Sequence, residues 1–400
     1  MSRQNADPDI ALKVVGAPRW TPEPDPRTPP GDPATLLTID SDGVVSAFSG
    51  KVEYGQGIRN GFAMEIADEL DVGVDSVQIV LGDTDLVPQD RGTTGSASTR
   101  TVGIQLRRAA ATARRALIDL AATRLEVSAG SLKTRDGQVV PDDGSAGVRY
   151  ADLLSGNSLT LDIPDVVQVK AVEEFQLMGR PARRIDAVSR VTGAAKYAQD
   201  VVVSGMLYGK ILRPPSYGAK LRQIDTTRAE RVSGVVSVVQ DGDFVGVVAE
   251  REDVAEYAVE AIRARWEESR DTASDWNIPA LLKERAEDLT ALREGGDLGA
   301  GFGSADRVFD NTYYVPYVSN AQMEPSASVA RWDGDHLTIW SANRGPFAER
   351  DSLAEMFGLD TSQVRVTAAE IGGSFGTKTP TVSYEAARLA KAVDAPVRVS

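Results

Sequence analysis

Residues 52–57 read VEYGQG: Val52, Glu53, Tyr54, Gly55, Gln56 and Gly57. Before them, TLLTIDSDGVVSAFS (35–49) has the character of two short strands around Asp42-Gly43, a hairpin signal. After them, GIRNGFAMEIADEL (57–70) puts Phe62, Ile66 and Leu70 at helical spacing. A turn with two glycines at such a junction is either a plain connection or a place where backbone approaches a ligand closely. Two other stretches repeat the design. GTTGSAST (92–99) opens a long Ala-, Leu- and Arg-rich helix expected over 102–125. IGGSFGTK (371–378) lies between a strand expected over 363–369 and a helix expected over 382–393.

Two familiar phosphate motifs do not fit these loops. A P-loop needs lysine directly after the last glycine, and Thr377 separates Gly376 from Lys378. The dinucleotide fingerprint needs a third glycine where Asn60 stands. Unpaired amides at a helix start nevertheless favour anions, and Ser and Thr add hydroxyl donors. Each loop alone reads as an ordinary turn. The three together suggest a large polyanionic cofactor held mainly by backbone, with Phe375 as a wall of the reaction pocket.

Composition narrows the chemistry. The chain has 400 residues, enough for two or three domains, with 44 Lys plus Arg against 58 Asp plus Glu and a net charge of −14. Such acidity argues against nucleic acid and against anionic membrane surfaces as partners. There is no cysteine, so the chain ligates no iron–sulfur cluster. The one histidine, His336 in WDGDHLTIW, reads as a surface hairpin residue without a nucleophile motif beside it. Glu53 and Glu324 could each be a general base, but a solvated or Arg-paired acid is the better reading, with Glu53 pointing outward. The N-terminus lacks a signal-peptide pattern and no run is long enough to span a bilayer, so a soluble, cytoplasmic protein is expected.

Along the chain, residues 1–35 form a Pro-rich extended tail, with six prolines in 22–33. LKTRDGQVV reads as a hairpin and YADLLS as a short helix. Residues 156–184 have weak periodicity. GMLYGKILRPP and GVVSVVQDGDFVGVVAE read as strands, and DVAEYAVEAIRARW as one amphipathic helix. A polar linker with one helix follows over 268–305. Strands are then expected over 307–318, 325–332 and 336–341, and a helix over 346–357. The last strand, APVRVS, stops at Ser400 without a cap or tail.

These blocks resemble the large molybdenum-cofactor subunit of the xanthine dehydrogenase/aldehyde oxidase family. The segment 179–215, GRPARRIDAVSRVTGAAKYAQDVVVSGMLYGKILRPP, is similar to the opening of that family's α/β-hammerhead domain, and 232–267 to its continuation. Residues 313–378 resemble the first cofactor-binding domain, and 52–99 the segment with the Gly-Gln-Gly and Ser-rich loops. That last block comes first here, a permuted order that resembles the isoquinoline 1-oxidoreductase branch of the family, in its β-subunit.

The resemblance implies an α+β protein with a hammerhead-like domain flanked by two segments of a molybdenum-cofactor-binding domain. The implied division is a tail (1–35), a cofactor-binding segment (36–160), a connector (161–184), the hammerhead-like domain (185–267), a linker (268–305) and the first cofactor-binding domain (306–400), incomplete at its C-terminus. Gly55, Gln56 and Gly57 would approach the metal–pterin region, with Tyr54 where the family often has Met. Gly95, Ser96, Ala97 and Ser98 would hold phosphates, and Gly373, Phe375 and Gly376 would line the metal-side pocket. No protein side chain would ligate the metal.

The implied activity is hydroxylation of an N-heterocycle or aldehyde with water as oxygen source. The implied cofactor is molybdopterin cytosine dinucleotide, and the electrons would leave through a separate small [2Fe-2S] subunit. The family's general base, a Glu in a Gly-x-Gly-Glu motif, is not in this chain, so no catalytic residue is assigned and the chain alone is expected to be inactive. Either a longer subunit or a second polypeptide would supply that base; the former is favoured by the stop inside an apolar strand. A non-catalytic assembly chain of the same fold, or a nucleotide-binding α/β enzyme, are the alternatives.

Overall fold

Short apolar runs in the first part of the chain build a five-stranded sheet. The computed structural model describes residues 10–16, 34–268, 277–287, 290–291, 293–379 and 382–400. β1 (Ile10–Gly16), β2 (Ala34–Asp40) and β3 (Val45–Ser49) are successive antiparallel neighbours. β4 (Val77–Leu81) lies parallel to β3 at one edge and β8 (Leu159–Asp162) parallel to β1 at the other. α1 (Ile58–Leu70) and α2 (Ile104–Leu125) pack on the sheet. Phe62, Ile66 and Leu70 of α1 and Leu106 and Leu117 of α2 are fully buried in one cluster with Leu12, Leu37 and Ile39. Burial of each such side chain contributes about 1.5–3 kcal/mol. A small sheet of β5 (Leu132–Arg135), β6 (Gln138–Pro141) and β7 (Val148–Arg149), with α3 (Tyr150–Leu154), closes the end of α1, where the Tyr150 hydroxyl donates to the Leu70 carbonyl at 2.6 Å.

The chain then straps back across the helices over 163–178. Asp68 accepts from the amides of Gln176, Leu177 and Met178. Glu69 accepts from the Lys170 amide and pairs with Arg107 and Arg114. Buried acids at the end of α1 thus satisfy an irregular backbone that no ladder would satisfy.

After α4 (Ala187–Val191), the strands β9 (Leu207–Ile211), β11 (Val235–Asp241) and β12 (Phe244–Ala249) enter a seven-stranded sheet. They share it with β14 (Ser328–Asp333), β15 (His336–Ser341), β16 (Val364–Ala368) and β17 (Val397–Val399), in the order β11-β12-β9-β17-β14-β15-β16. β10 (Lys220–Asp225) and β13 (Arg263–Glu267) form a separate pair, with α5 (Thr227–Glu230) and α6 (Glu252–Ala261) nearby. α7 (Ile278–Glu284) and α8 (Leu298–Ser304) are short and carry no buried residue. α9 (Pro346–Phe357) and α10 (Val382–Val393) pack on the large sheet. Gly209 and Gly246 leave room there for Leu389: a Cβ at either would lie 2.5 or 2.9 Å from its methyl groups.

The two sheets meet edge to edge. The Thr84 amide donates to the Val366 carbonyl at 3.0 Å and the Ala368 amide to the Gly82 carbonyl at 2.9 Å. Arg365 forks onto Asp83 at 3.0 and 2.7 Å, a geometry only a guanidinium offers. This seam sets the end of β4, the neighbour of the strand that feeds residues 52–57, beside the strand that feeds residues 371–378.

Several local expectations are corrected. Residues 10–16 are not tail but a ladder strand, because IALKVVG has apolar residues on both faces and two strands to pair with. The proline cluster of 22–33 lies outside the described residues. The weakly periodic stretch 156–184 contains β8, just before the strap. The expected long helix after Asp253 ends at Ala261, and the alternating RARWE pairs with β10 instead. Among its described residues the linker holds two short helices rather than one. Residues 307–318 form no strand: Phe309, Tyr313, Val315 and Tyr317 are exposed, and no strand among the described residues pairs with them.

Leu389→Ala should cost about 2–5 kcal/mol in urea-induced unfolding. Met356→Ala, on the exposed side of α9, should cost less than about 0.5 kcal/mol by the same measurement.

Candidate functional site

The turn at Gly55–Gly57 is shaped by an acid just before it. Glu53 is 3% exposed, so it is buried where it was expected to point outward. Its Oε1 accepts from the amides of Gly55 and Gly57, both at 2.9 Å, and its Oε2 from the amide of Arg59 at 3.1 Å. A buried carboxylate needs donors, and a left-handed Gly55 (φ 108°) and Gly57 (φ 81°) turn these amides toward it. The Gly55 and Gly57 amides are therefore taken by Glu53 and are not free for an anion. Gln56 also closes on its own turn, with Oε1 accepting from the Tyr54 amide at 2.8 Å and Nε2 donating to the Val52 carbonyl at 2.9 Å.

Arg184 pairs with Glu53 at 3.3 Å and with Asp186 at 2.7 Å. Arg190 bridges Asp186 (2.9 Å) and Glu370 (2.5 Å), and Arg59 reaches Glu370 at 3.3 Å. This alternating chain ties the 53–59 turn to the residue just before Ile371. Hydrogen bonds from Arg184, then from Arg190, outweigh burial and hold the Asp186 carboxyl at about 2.

The Ser-rich loop has the opposite character. Gly95 and Ser96 are left-handed (φ 64° and 49°), and the amides of Gly95, Ser96 and Ser98 make no hydrogen bond among the described residues. Gly95 and Ser96 are exposed, Ala97 is half-buried and Ser98 is buried. The loop runs into a π-turn, Thr99–Gly103, before α2. Its root is fixed by Thr93, whose Oγ1 accepts from the Val52 amide at 2.8 Å and whose amide donates to the Arg344 carbonyl at 2.8 Å. Lys51 adds a buried bond to Asp90 at 2.7 Å.

The third loop is again held by an acid. Glu324, whose side chain is buried rather than solvated, accepts from the Gly372 amide at 2.9 Å and pairs with Lys378 at 3.2 Å. Beyond Gly372, the amides of Gly373, Phe375 and Gly376 make no hydrogen bond among the described residues. Phe375 has φ 46° and is 68% exposed, so it is a wall facing out of the protein and not a core residue. Arg344 links this loop to the second through its amide to the Lys378 carbonyl and its guanidinium to the Gly376 carbonyl, at 3.3 and 3.2 Å. A cleft of about 300 Å³ lies on that seam, lined by Thr93, Thr94, Arg344, Lys378 and Tyr384.

The fold thus brings all three loops together. A Cβ built on Gly55, Gly95 or Gly376 would meet nothing within 4 Å, so each loop presents an open face. Sequence reasoning missed the structural work of Glu53, Glu324, Thr93, Arg184 and Arg344. Glu53 was legible in principle: an acid two and four residues before glycine amides is placed to accept from both. The arginines had no local signal, because their partners lie far away in sequence.

Models of known families match in chain order. A molybdopterin cofactor-binding domain covers residues 15–200, the aldehyde oxidase and xanthine dehydrogenase a/b hammerhead domain 192–246, and a second molybdopterin cofactor-binding domain 282–400. The chain belongs to the xanthine dehydrogenase and aldehyde oxidase family. A nicotinate dehydrogenase subunit of Pseudomonas putida is 33% identical over 92% of this chain and 32% of its own length. The beta subunit of isoquinoline 1-oxidoreductase of Brevundimonas diminuta is 27% identical over 95% of this chain and 55% of its own. A membrane-bound aldehyde dehydrogenase of Gluconacetobacter polyoxogenes, named for pyrroloquinoline quinone, is 27% identical over 88% and 48%. The chain therefore spans from about a third to about half the length of these relatives. Among the described residues no helix is long and apolar enough to cross a membrane.

Glu53→Ala strands three amides and removes one of the two acids paired with Arg184, and should lower stability by about 3 kcal/mol in chemical denaturation at neutral pH. The charge chain also sets an acid limit. Asp186 is depressed from its ordinary value, so its contribution is full above about 4 and lost as pH falls through about 2. Asp186→Asn should flatten the acid-unfolding curve in that window.

Proposed function

We propose that this chain cradles the pterin dinucleotide of a molybdenum hydroxylase that oxidises an N-heterocycle or an aldehyde with water as oxygen source. The observation that carries this is the pairing of two left-handed loops with free amides, at Gly95–Ser98 and Gly373–Gly376, on one face of a chain of this family. Free amides and glycines that open outward suit a group with phosphates and an extended ring system. When bound, the molybdenum–pterin group supplies the two-electron redox chemistry.

The residues would divide the work. Gly95, Ser96 and Ser98 would hold phosphate oxygens through amides, with the exposed Ser96 hydroxyl adding a donor, while Ala97, whose amide donates to the Thr94 carbonyl at 3.3 Å, would shape the loop. Gly55, Gln56 and Gly57 would approach as a preformed shape, since Glu53 already satisfies the glycine amides. Breaking the two bonds of the Gln56 side chain within its own turn would free its amide group for a ligand. Gly373, Phe375 and Gly376 would face the reacting end, with the Phe375 ring excluding water from one side. Among the described residues none of these is a candidate base, so the proton acceptor for water would come from outside this chain, and the chain alone would not turn over.

The form expected is molybdopterin cytosine dinucleotide, in a cytoplasmic assembly with a small [2Fe-2S] subunit, the base coming from a longer form of the same subunit or from a second polypeptide. This chain has no cysteine, so electrons would leave by the small partner.

The test is the cofactor content of the chain purified with its assembly. Molybdenum and released cytidine monophosphate should appear in about equal amounts. Pyrroloquinoline quinone in their place, or no cofactor at all, would overturn the reading, the latter in favour of a non-catalytic assembly chain. Ser96→Asp keeps a residue type that tolerates left-handed backbone but sets a carboxylate beside the phosphates. It should cut retained molybdenum by about tenfold or more with the fold unchanged by circular dichroism.

A further inference from the structure

Glu65 on α1 is a buried acid that the cradle does not use. It is 6% exposed, and its Oε2 has no hydrogen-bond partner. It is pressed on the π-turn that follows the Ser-rich loop. A Cβ on Gly103 would lie 3.0 Å from Oε1 and would strike Oε2. Gly103 itself has ordinary helical angles, φ −54° and ψ −45°. Its lack of a side chain is therefore not needed for backbone conformation; it is needed to admit the carboxyl group. A buried, unpartnered carboxyl group favours its neutral form, and burial raises Glu65 to about 7 against a weaker opposing pull from Arg107.

The surrounding charges do not neutralise it. Arg107 of α2 donates to Glu69 at 2.7 Å and to the Lys170 carbonyl at 3.0 Å. Glu69 is also paired with Arg114, and Lys170 with Asp71. Asp68 is occupied by strap amides. The π-turn contributes Arg100, which is exposed; the short turn before β4 contributes Asp75; β4 has no titratable side chain. Ionised Glu65 would have to draw Arg107 away from Glu69 or lose contact with the π-turn.

We propose that Glu65 is a positioning residue for the Gly95–Ser98 loop: its neutral form packs against Gly103 and keeps the π-turn in the arrangement that presents the loop amides. The ligand assigned to that loop rests on the reading above; the positioning role does not. Loss of the proton loosens the turn, so the loop is ordered below neutrality and slackens above it.

The experiment is amide hydrogen exchange on the cofactor-free full chain, corrected for intrinsic rates, at about pH 5.5 and about pH 8.5, either side of the group's own value. Protection at the hydrogen-bonded amides of Ala97 and Thr101, and on through the π-turn to Gly103, should fall about tenfold between the two in the natural protein and stay level in Glu65→Gln. Equal falls in both proteins, or none in the natural one, would overturn the proposal. Should Glu65→Gln not fold, Gly103→Ala serves: it should lower protection at both pH values, and Glu65→Ala added to it should restore protection. Absence of that rescue would also overturn the proposal. These outcomes are independent of molybdenum content, so failure of the cofactor reading would be seen separately.

Discussion

The carboxylate of Glu53 is the point on which the site depends. It takes the amides of Gly55, Gly57 and Arg59 from one side and Arg184 from the other. With its negative charge buried among these donors, the glycine turn has one low-energy shape, and a ligand need not impose it. The same charge begins the series Arg184, Asp186, Arg190, Glu370 and Arg59, which returns to the end of the very turn that Glu53 holds. An alternating chain of charges, joined back to Glu53 through the Arg59 backbone amide, ties the first loop to the approach of the third. Removing an inner member takes one of its two opposite charges from each half-buried neighbour and so weakens the chain on both sides.

A division between the loops follows from this. Where an acid of the protein occupies the amides, as at Gly55, Gly57 and Gly372, the loop is finished structure. Where amides stay free, as at Gly95, Ser96, Gly373 and Gly376, the loop is prepared for something else. The finished parts anchor the unfinished ones. Glu324 holds the first amide of the third loop and leaves the next ones open. Thr93 fixes the base of the second loop and leaves its tip outward. Preorganised donors that cost no rearrangement when they meet a charged group are what a tightly retained anionic cofactor requires.

Much of the architecture was legible because it rests on local pattern. The apolar run of β2, the period-two run of β3, the helical spacing of Phe62, Ile66 and Leu70, and the glycine turns all act within a few residues of themselves. What was not legible depended on distant partners. Ile10–Gly16 looked like part of a tail because proline follows it, yet β2 and β8 give it ladders on both sides. RARWE continued a helical pattern until β10 offered an edge. Tyr313–Val318 had the composition of a strand and found no partner among the described residues. At the site, the glycines announced themselves, but the acids were judged by the average behaviour of acids, which is to face water. Glu53 and Glu324 depart from that average because glycine amides and basic residues, some of them far away in sequence, enclose them. Glu65 was hidden for the same reason, its environment being made by Gly103 on another helix.

The central claim is that protein carboxylates, and not the ligand, set the shape of the cradle. Residue-resolved amide exchange on the cofactor-free chain at one neutral pH tests it directly. The account predicts strong protection at Gly55, Gly57 and Gly372, whose amides are bound by Glu53 and Glu324, beside near-intrinsic exchange at Gly95, Ser96 and Gly376. Near-intrinsic exchange at all six positions would contradict it, because the loops would then take their form only from what they bind.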